Sequence, residues 1–250
     1  TGTSLGDFVS IKNGFATLKN DIYVFTPYRE DEGYYYLKKN LKEYQIEKAI
    51  CRSTVKPNTL DERLPLDLQM EKLIFPYMQN DGKVVLMAED YLQTNYPRTY
   101  AYLVDHKKDL AQRDKGNRQY QEWYAYGRTQ ALNIKGYRLF FPYLASKPIF
   151  ILSDEKELMF YNGYALVSDD FEQLRFLQKI LCSKVFWYYI KNSSKPYGGE
   201  YMSLAKNYVK NFGIINMSPR QRRKFMELTE QKSIDEYLSN FYKLKAAISL

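Results

Sequence analysis

The stretch Trp123-Tyr124-Ala125-Tyr126-Gly127-Arg128-Thr129-Gln130 carries three aromatic side chains, a glycine, an arginine fork and an amide within a few residues. Guanidinium forks match phosphate oxygens in bidentate fashion, and side-chain amides match base edges. Close upstream stand Arg118, Gln119 and Gln121, close downstream Asn133 and Lys135, and at greater distance Arg98, Lys195, Tyr197 and Lys206. Near the start of the chain, Lys19 and Asn20 offer the same chemistry from the loop Phe15 to Asn20. A plainer account makes Trp123 and Tyr126 core and lets Arg128 satisfy a buried carboxylate or carbonyl. Each polar residue named here also reads, singly, as an ordinary solvated loop residue.

A second chemistry is suggested by Asp90 followed by Asp105-His106-Lys107. The spacing mimics metal-dependent nucleases, in which carboxylates hold magnesium and a lysine polarises phosphate. Residues 99 to 112 have helical periodicity, whereas that chemistry places its second acid and lysine on a strand. The better reading is a solvated helix face. His106 is the single histidine and Cys51 and Cys182 are the only cysteines, so a zinc centre or a Ser/His/Asp engine is nearly excluded. Neither a dinucleotide fingerprint nor a phosphate-binding loop is present.

Charge points to the partner. The net charge is +8, and 10 Lys+Arg against 4 Asp+Glu fall in residues 91–150. A basic segment interleaved with aromatics favours a polyanion. The two cysteines suit a reduced, cytoplasmic protein, and no apolar run approaches the length of a membrane span. Thr1 stands where Met would, so the chain reads as a piece of a longer polypeptide. The 25 tyrosines suit half-wet surfaces.

The elements that must position these residues read as follows. Residues 4–11 and 21–25 suggest a hairpin-like unit, and short β-type runs at 34–37, 46–51, 72–77 and 84–88 make the first third sheet-rich. Pro97 opens a helix that runs to the Asp114-Lys115-Gly116-Asn117 turn. Strands return at 137–143, 149–152, 158–161 and 164–167. A helix capped by Asp169 carries Phe171, Leu174, Leu177, Leu181, Val185 and Tyr188 on one face, and Ser193 to Gly199 form a basic loop. Capping boxes at Ser218 and Ser233 mark two terminal helices, the last with Ile234, Tyr237, Leu238, Phe241, Leu244 and Ile248 on one side. The expected class is α+β, mixed and sheet-rich, with several helices and a C-terminal helical pair.

Several blocks together resemble the C-terminal target recognition domain of TaqI-like adenine-specific DNA methyltransferases and of fused type II restriction-modification enzymes. They are Ser4-Leu5-Gly6-Asp7, Gly14-Phe15-Ala16-Thr17, Lys72 to Tyr77, Tyr96 to Leu103, Leu110-Ala111-Gln112-Arg113-Asp114, Trp123 to Gln130, Ile180 to Ser183, and Gly198-Gly199-Glu200-Tyr201 with Lys206. The resemblance implies a recognition domain over residues 1–217 and a helical appendage over 218–250. It implies duplex DNA as partner, together with the methyltransferase domain of the parent polypeptide, with or without an endonuclease domain. S-adenosylmethionine would belong to that catalytic domain, and no cofactor, metal or catalytic residue is expected in this chain. Residues of the shared pattern, such as Trp123, Gly127 and Arg128, then build scaffold or hold phosphate. Base readers fall where the pattern fades, at Lys19, Asn20, Arg118, Gln119, Gln121, Asn133 and Lys135. Lys195, Tyr197, Lys206 and Arg98 go to the backbone. Two rivals remain: a basic protein-interaction module, and an RNA or single-strand binder that stacks bases on tyrosine.

Overall fold

The computed structural model describes residues 2–244. The fold is α+β. Ten helical segments among the described residues are α1 (Leu5–Phe8), α2 (Asn20–Tyr23), α3 (Glu89–Asn95), α4 (Pro97–Asp105), α5 (Lys107–Ala111), α6 (Phe171–Leu181), α7 (Lys184–Ser193), α8 (Lys206–Val209), α9 (Pro219–Glu227) and α10 (Gln231–Phe241). None of them is long and apolar enough to cross a membrane.

Two four-stranded sheets form the frame. In the first, Tyr137–Phe141 lies between Ile151–Ser153 and Tyr164–Ser168, and Ser10–Asn13 pairs on the far side of Tyr164–Ser168, all antiparallel. Side chains alternate across a strand, so Leu139 and Phe141 enter one core while Phe140 enters another. This explains the unbroken apolar run in Tyr137–Phe141, since both faces are covered. The second sheet orders Met159–Phe160, Cys51–Val55, Glu71–Ile74 and Val24–Phe25, with the first pair parallel. A three-stranded sheet, Arg29–Glu30, Tyr34–Lys39 and Lys42–Glu47, supports α4.

Three cores result. The first packs Leu174, Leu177, Ile180 and Leu181 of α6 against Leu139, Phe141 and Leu166, and includes Phe186 of α7, Phe225 of α9 and Leu238 of α10. Each fully buried side chain of this kind contributes roughly 1.5–3 kcal/mol. The second gathers Ile22, Tyr23, Leu73, Ile74, Leu92, Tyr102, Leu103, Tyr124 and Tyr126. The third is small and lies between the two four-stranded sheets, with Val55, Leu60, Phe140, Leu158, Phe160 and Ala165.

Tyrosine is a core residue here as well as a surface one. The hydroxyl of Tyr23 donates to the Tyr124 carbonyl at 2.7 Å, that of Tyr102 to Ile22 at 2.8 Å, and that of Tyr124 to Met87 at 2.7 Å. A buried phenol needs a partner for its hydroxyl, and backbone carbonyls supply it. Burial raises the Tyr77 phenol to about 12 and pushes Tyr23, Tyr102 and Tyr126 higher still.

Four local expectations change. Residues 4–11 and 21–25 do not pair with each other: Ser10–Asn13 joins Tyr164–Ser168, and Val24–Phe25 joins Glu71–Ile74. Alternation specifies a strand but not its partner. The apolar face expected to run unbroken from Phe171 to Tyr188 is divided into α6 and α7, because Ser183 Oγ donates to the Ile180 carbonyl at 2.6 Å and accepts the Phe186 N–H at 3.3 Å. Asp170, not Asp169, caps α6 by accepting from Gln173 N, since the preceding strand runs on through Ser168. The Ser218 capping box is present, whereas Ser233 lies inside α10, whose N-cap is Glu230. Ile248 lies outside the described residues.

Candidate functional site

The Trp123 stretch is fixed by a buried cation. Arg113 Nε donates to the Leu110 carbonyl at 2.8 Å and Nη2 to that of Trp123 at 2.6 Å, and Nη1 reaches the carbonyls of Ala125 and Thr17. Trp123 Nε1 donates to Glu89 at 2.8 Å, and the Tyr126 N–H donates to the Tyr77 hydroxyl at 2.7 Å. Next, Gly127 N donates to the Thr17 carbonyl at 3.2 Å and Arg128 N to that of Ala16 at 2.9 Å. The strand-like segment after Gly14 is thereby tied to the start of the Arg128 segment. A Cβ on Gly127 would sit 2.3 Å from Leu18 Cδ1, so a side chain there must displace that of Leu18, whereas a Cβ on Gly14 would sit 2.3 Å from the Phe160 carbonyl oxygen, a backbone atom. Several sequence blocks read as a family pattern thus meet at one seam.

Beside that seam opens a cleft of about 910 Å³. Its cations are Lys12, Arg128, Lys206 and Lys210, its amides Asn13, Gln130, Asn162 and Asn211, and its one carboxylate Asp7. Asp7 accepts a hydrogen bond from Ser4 Oγ at 2.6 Å. Among the described residues, none of the four cations is in an ion pair. Like charges facing one another across a cleft repel, and a multivalent anion entering it relieves that repulsion. The elements that bring them together are distant in sequence. Thr3–Ser4 pairs with Gly213–Ile214, and Gly6 N donates to the Lys210 carbonyl at 2.8 Å, which places α8 against α1.

Of the twelve residues that the sequence suggested, Arg128 and Lys206 line this cleft. Arg128 is exposed, not a partner for a buried carboxylate. Asn133 and Lys135 line a smaller hollow of about 110 Å³ with Arg52, Gln79 and Glu157, on the other side of Ala131 and Ile134, which both hollows share. The Asn133 amide is already used, donating to the Gly82 carbonyl at 3.1 Å. Asn20 accepts from the Thr17 hydroxyl at 2.6 Å within the turn that starts α2, and Lys19 lies 3.9 Å from Asp21. Arg98 is exposed in the first turn of α4, whose N–H groups are taken by Glu47. Arg118 stands 3.9 Å from Asp114, and Gln119 and Gln121 are exposed on the loop after it; none of the three lines the cleft. Lys195 and Tyr197 lie at the exposed hairpin Pro196–Tyr197 with Tyr201–Ser203.

Sequence reasoning passed over Lys12, Asn13, Asn162, Lys210 and Asn211, and singled out Gln130 only as the amide of the Trp123 stretch. Lys12 and Asn13 lie beyond the 4–11 run and are the end of a strand. The adjoining Gly14 to Thr17 block was the available signal, because its seam with Arg128 makes one wall.

The nuclease-like residues do not converge. Asp105 pairs with Lys42, and the Lys107 ammonium lies 4.6 Å from the centroid of the Trp123 ring. Among the described residues no group of three His, Cys, Asp or Glu side chains could hold a metal ion. Arg138 is buried among the carbonyls of Ile134, Gly136, Glu155 and Lys156, and burial lowers its pKa to about 10. His106 is likewise structural, 2.8 Å from the Tyr102 carbonyl.

No family model matches the chain. It is 27% identical over 142 residues to the type II restriction enzyme and methyltransferase RM.Eco57I of Escherichia coli, a match covering 51% of this chain and 14% of that protein. Its fold matches that of the type IIL restriction-modification enzyme MmeI, solved in complex with DNA, with a TM-score of 0.61 and 10% identity over 100% of this chain and 34% of that one. The chain is therefore related in sequence to one part of a restriction-modification enzyme and shares its fold with one part of another.

Proposed function

We propose that this chain is the duplex-DNA recognition part of a restriction-modification adenine methyltransferase of the TaqI-like kind, working in the cytoplasm. The observation that carries the reading is the cleft, in which Lys12, Arg128, Lys206 and Lys210 have no carboxylate in ion-pair reach among the described residues and stand beside Asn13, Gln130 and Asn162. Phosphates position a duplex and base edges specify it, and the cleft offers both kinds of group. The names of the two relatives support the same assignment, one being a restriction enzyme and methyltransferase and the other an enzyme solved with DNA. Recognition belongs to residues 1–217, and Phe225, Ile234 and Leu238 of the two helices that follow complete its first core. Methyl transfer and S-adenosylmethionine belong to a catalytic domain of the parent polypeptide, so this chain by itself is not an enzyme. The test is a titration of the chain with duplex DNA, single-stranded DNA and RNA of one sequence at several salt concentrations. Preferential, salt-sensitive binding of duplex is expected. Preference for single strands, or no binding, overturns the reading.

A further inference from the structure

Within the cleft, two amides share one wall. Asn13 ends the strand Ser10–Asn13, in register with Tyr164 on the neighbouring strand, and Gly14 N donates to the Gly163 carbonyl at 3.4 Å. Asn162 sits two residues before Tyr164, so Asn13 and Asn162 lie on adjacent backbones, and both line the cleft. Asn162 adopts φ 49°, a left-handed conformation that side chains other than Asn and Asp rarely take. Its turn is rigid. Tyr161 is buried and its hydroxyl donates to Glu71 at 2.7 Å, Asn58 N donates to the Asn162 carbonyl at 3.2 Å, and Gly163 lies so close to Pro57 that a Cβ would meet it at 2.4 Å. Asn20 is occupied by Thr17, Asn133 by Gly82 and Asn211 by Asn207, whereas Gln130 is exposed on the segment after Arg128, which is not part of this turn. The side chains of Asn13 and Asn162 are exposed and, among the described residues, make no hydrogen bond.

We propose that Asn13 and Asn162 are a base-reading pair that recognises adenine edges in duplex DNA, with Lys206 and Lys210 holding the adjacent phosphates. The inference rests on the DNA-recognition reading above. An amide presents one acceptor and two donors. Adenine in the major groove presents the N6 donor and the N7 acceptor, which an amide satisfies in bidentate fashion, whereas guanine presents two acceptors and cytosine one donor. A fixed turn holds the Asn162 backbone, so that only the side-chain torsions remain to be ordered on binding.

The test is selection of the chain and its variants against a randomised duplex library, followed by titration on the enriched site and on a scrambled duplex. The wild type should enrich a motif containing adenine. Asn162→Gly suits the left-handed turn and keeps the fold, which a thermal melt verifies; it should erase the adenine preference at one position and weaken the enriched site by roughly 5- to 150-fold, leaving scrambled duplex unchanged. Asn162→Asp replaces the donor with an acceptor and should move that position toward cytosine, and Asn13→Ala should flatten a neighbouring position. If the wild type enriches a motif and all three variants enrich the same one, the base-reading pair is wrong while DNA recognition stands. If the wild type binds duplex but enriches nothing, base reading in this cleft is overturned. If it binds no duplex, the DNA reading falls and this inference with it.

Discussion

Arg113 donates from Nη2 to the carbonyl oxygen of Trp123 at 2.6 Å, and the remaining guanidinium donors go to carbonyls of Leu110, Ala125 and Thr17. A buried cation is thus held by peptide dipoles rather than by a carboxylate. Lysine carries the same charge but lacks the planar fork that reaches several carbonyls at once. Arg113→Lys should therefore cost about 3 kcal/mol, because unsatisfied buried carbonyls each carry a desolvation penalty. Urea unfolding measures this; a midpoint unchanged from wild type would show that the fork is dispensable.

Steric fit at the same seam gives a coupled pair. Gly127→Ala would place a methyl 2.3 Å from Leu18 Cδ1 and Cγ, and overpacking of this kind costs roughly 1–3 kcal/mol. Leu18 itself has φ 62°, so Leu18→Gly removes both the obstructing side chain and a left-handed strain. The double variant should recover most of the loss. Simple additivity of the two changes would rule out this contact as the cause.

Positioning and reading should separate in solution. Arg128→Ala and Lys206→Ala should weaken cognate and scrambled duplex alike and lower the slope of log affinity against log salt by about one unit each. Gln121 lies away from the cleft lining, so Gln121→Ala should leave both affinities intact. A selective loss at the cognate site on Gln121→Ala would move the reading surface to the loop after Arg118.

Alkaline pH should unfold the protein cooperatively. Burial raises Tyr77 and Tyr242 from 10.0 to about 12 and raises Tyr23, Tyr102 and Tyr126 as well. The folded state holds these phenols protonated while the unfolded chain ionises them near 10, so their contribution is fully present below that pH and is lost as pH rises toward 12. The urea midpoint should fall from about pH 9 to about pH 11, near the reference tyrosine value. Phenolate absorbance of the buried set should appear together with unfolding. A gradual titration with the fold intact would contradict the burial argument.

The terminal helices should prove inseparable from the first core. Phe225 and Leu238 are fully buried, and the Phe225 ring lies 5.8 Å from that of Phe176. Asp235 is buried and accepts from Lys184 N at 2.8 Å, at the start of α7. A chain ending at residue 217 should lose cooperative unfolding, since it strips one side of that core. Asp235→Ala should cost roughly 1–3 kcal/mol and leave duplex affinity at full folding unchanged. A stable truncated chain, melting as the whole one does, would refute the shared core.

Most elements of the α+β fold were legible because their signals are local. Pro97 opens α4, the Ser218 box opens α9, and the apolar run at Tyr137–Phe141 marks a strand covered on both faces. Partners were not legible, because pairing between Ser10–Asn13 and Tyr164–Ser168 joins segments far apart in sequence by hydrogen bonds that no side-chain pattern encodes. The same limit divided the site. Arg128 and Lys206 stood out as cations near family-like blocks, whereas Asn162 sits in a turn between two short strands and has no sequence neighbour that distinguishes it. Arg113 had ordinary surface composition around it and turned out buried, since its partners are carbonyls, which every residue carries.

The antiparallel pairing of Thr3–Ser4 with Gly213–Ile214 sets an order on events during synthesis. Thr3–Ser4 must wait, unpaired, until the chain has been made through residue 214. The sheets around the second core draw on earlier segments and have partners sooner, whereas α1 and α8 cannot meet before residue 214 is made. Long-range closure of this kind is slow to form, so the cleft between them can assemble only after every strand of the two four-stranded sheets has been made.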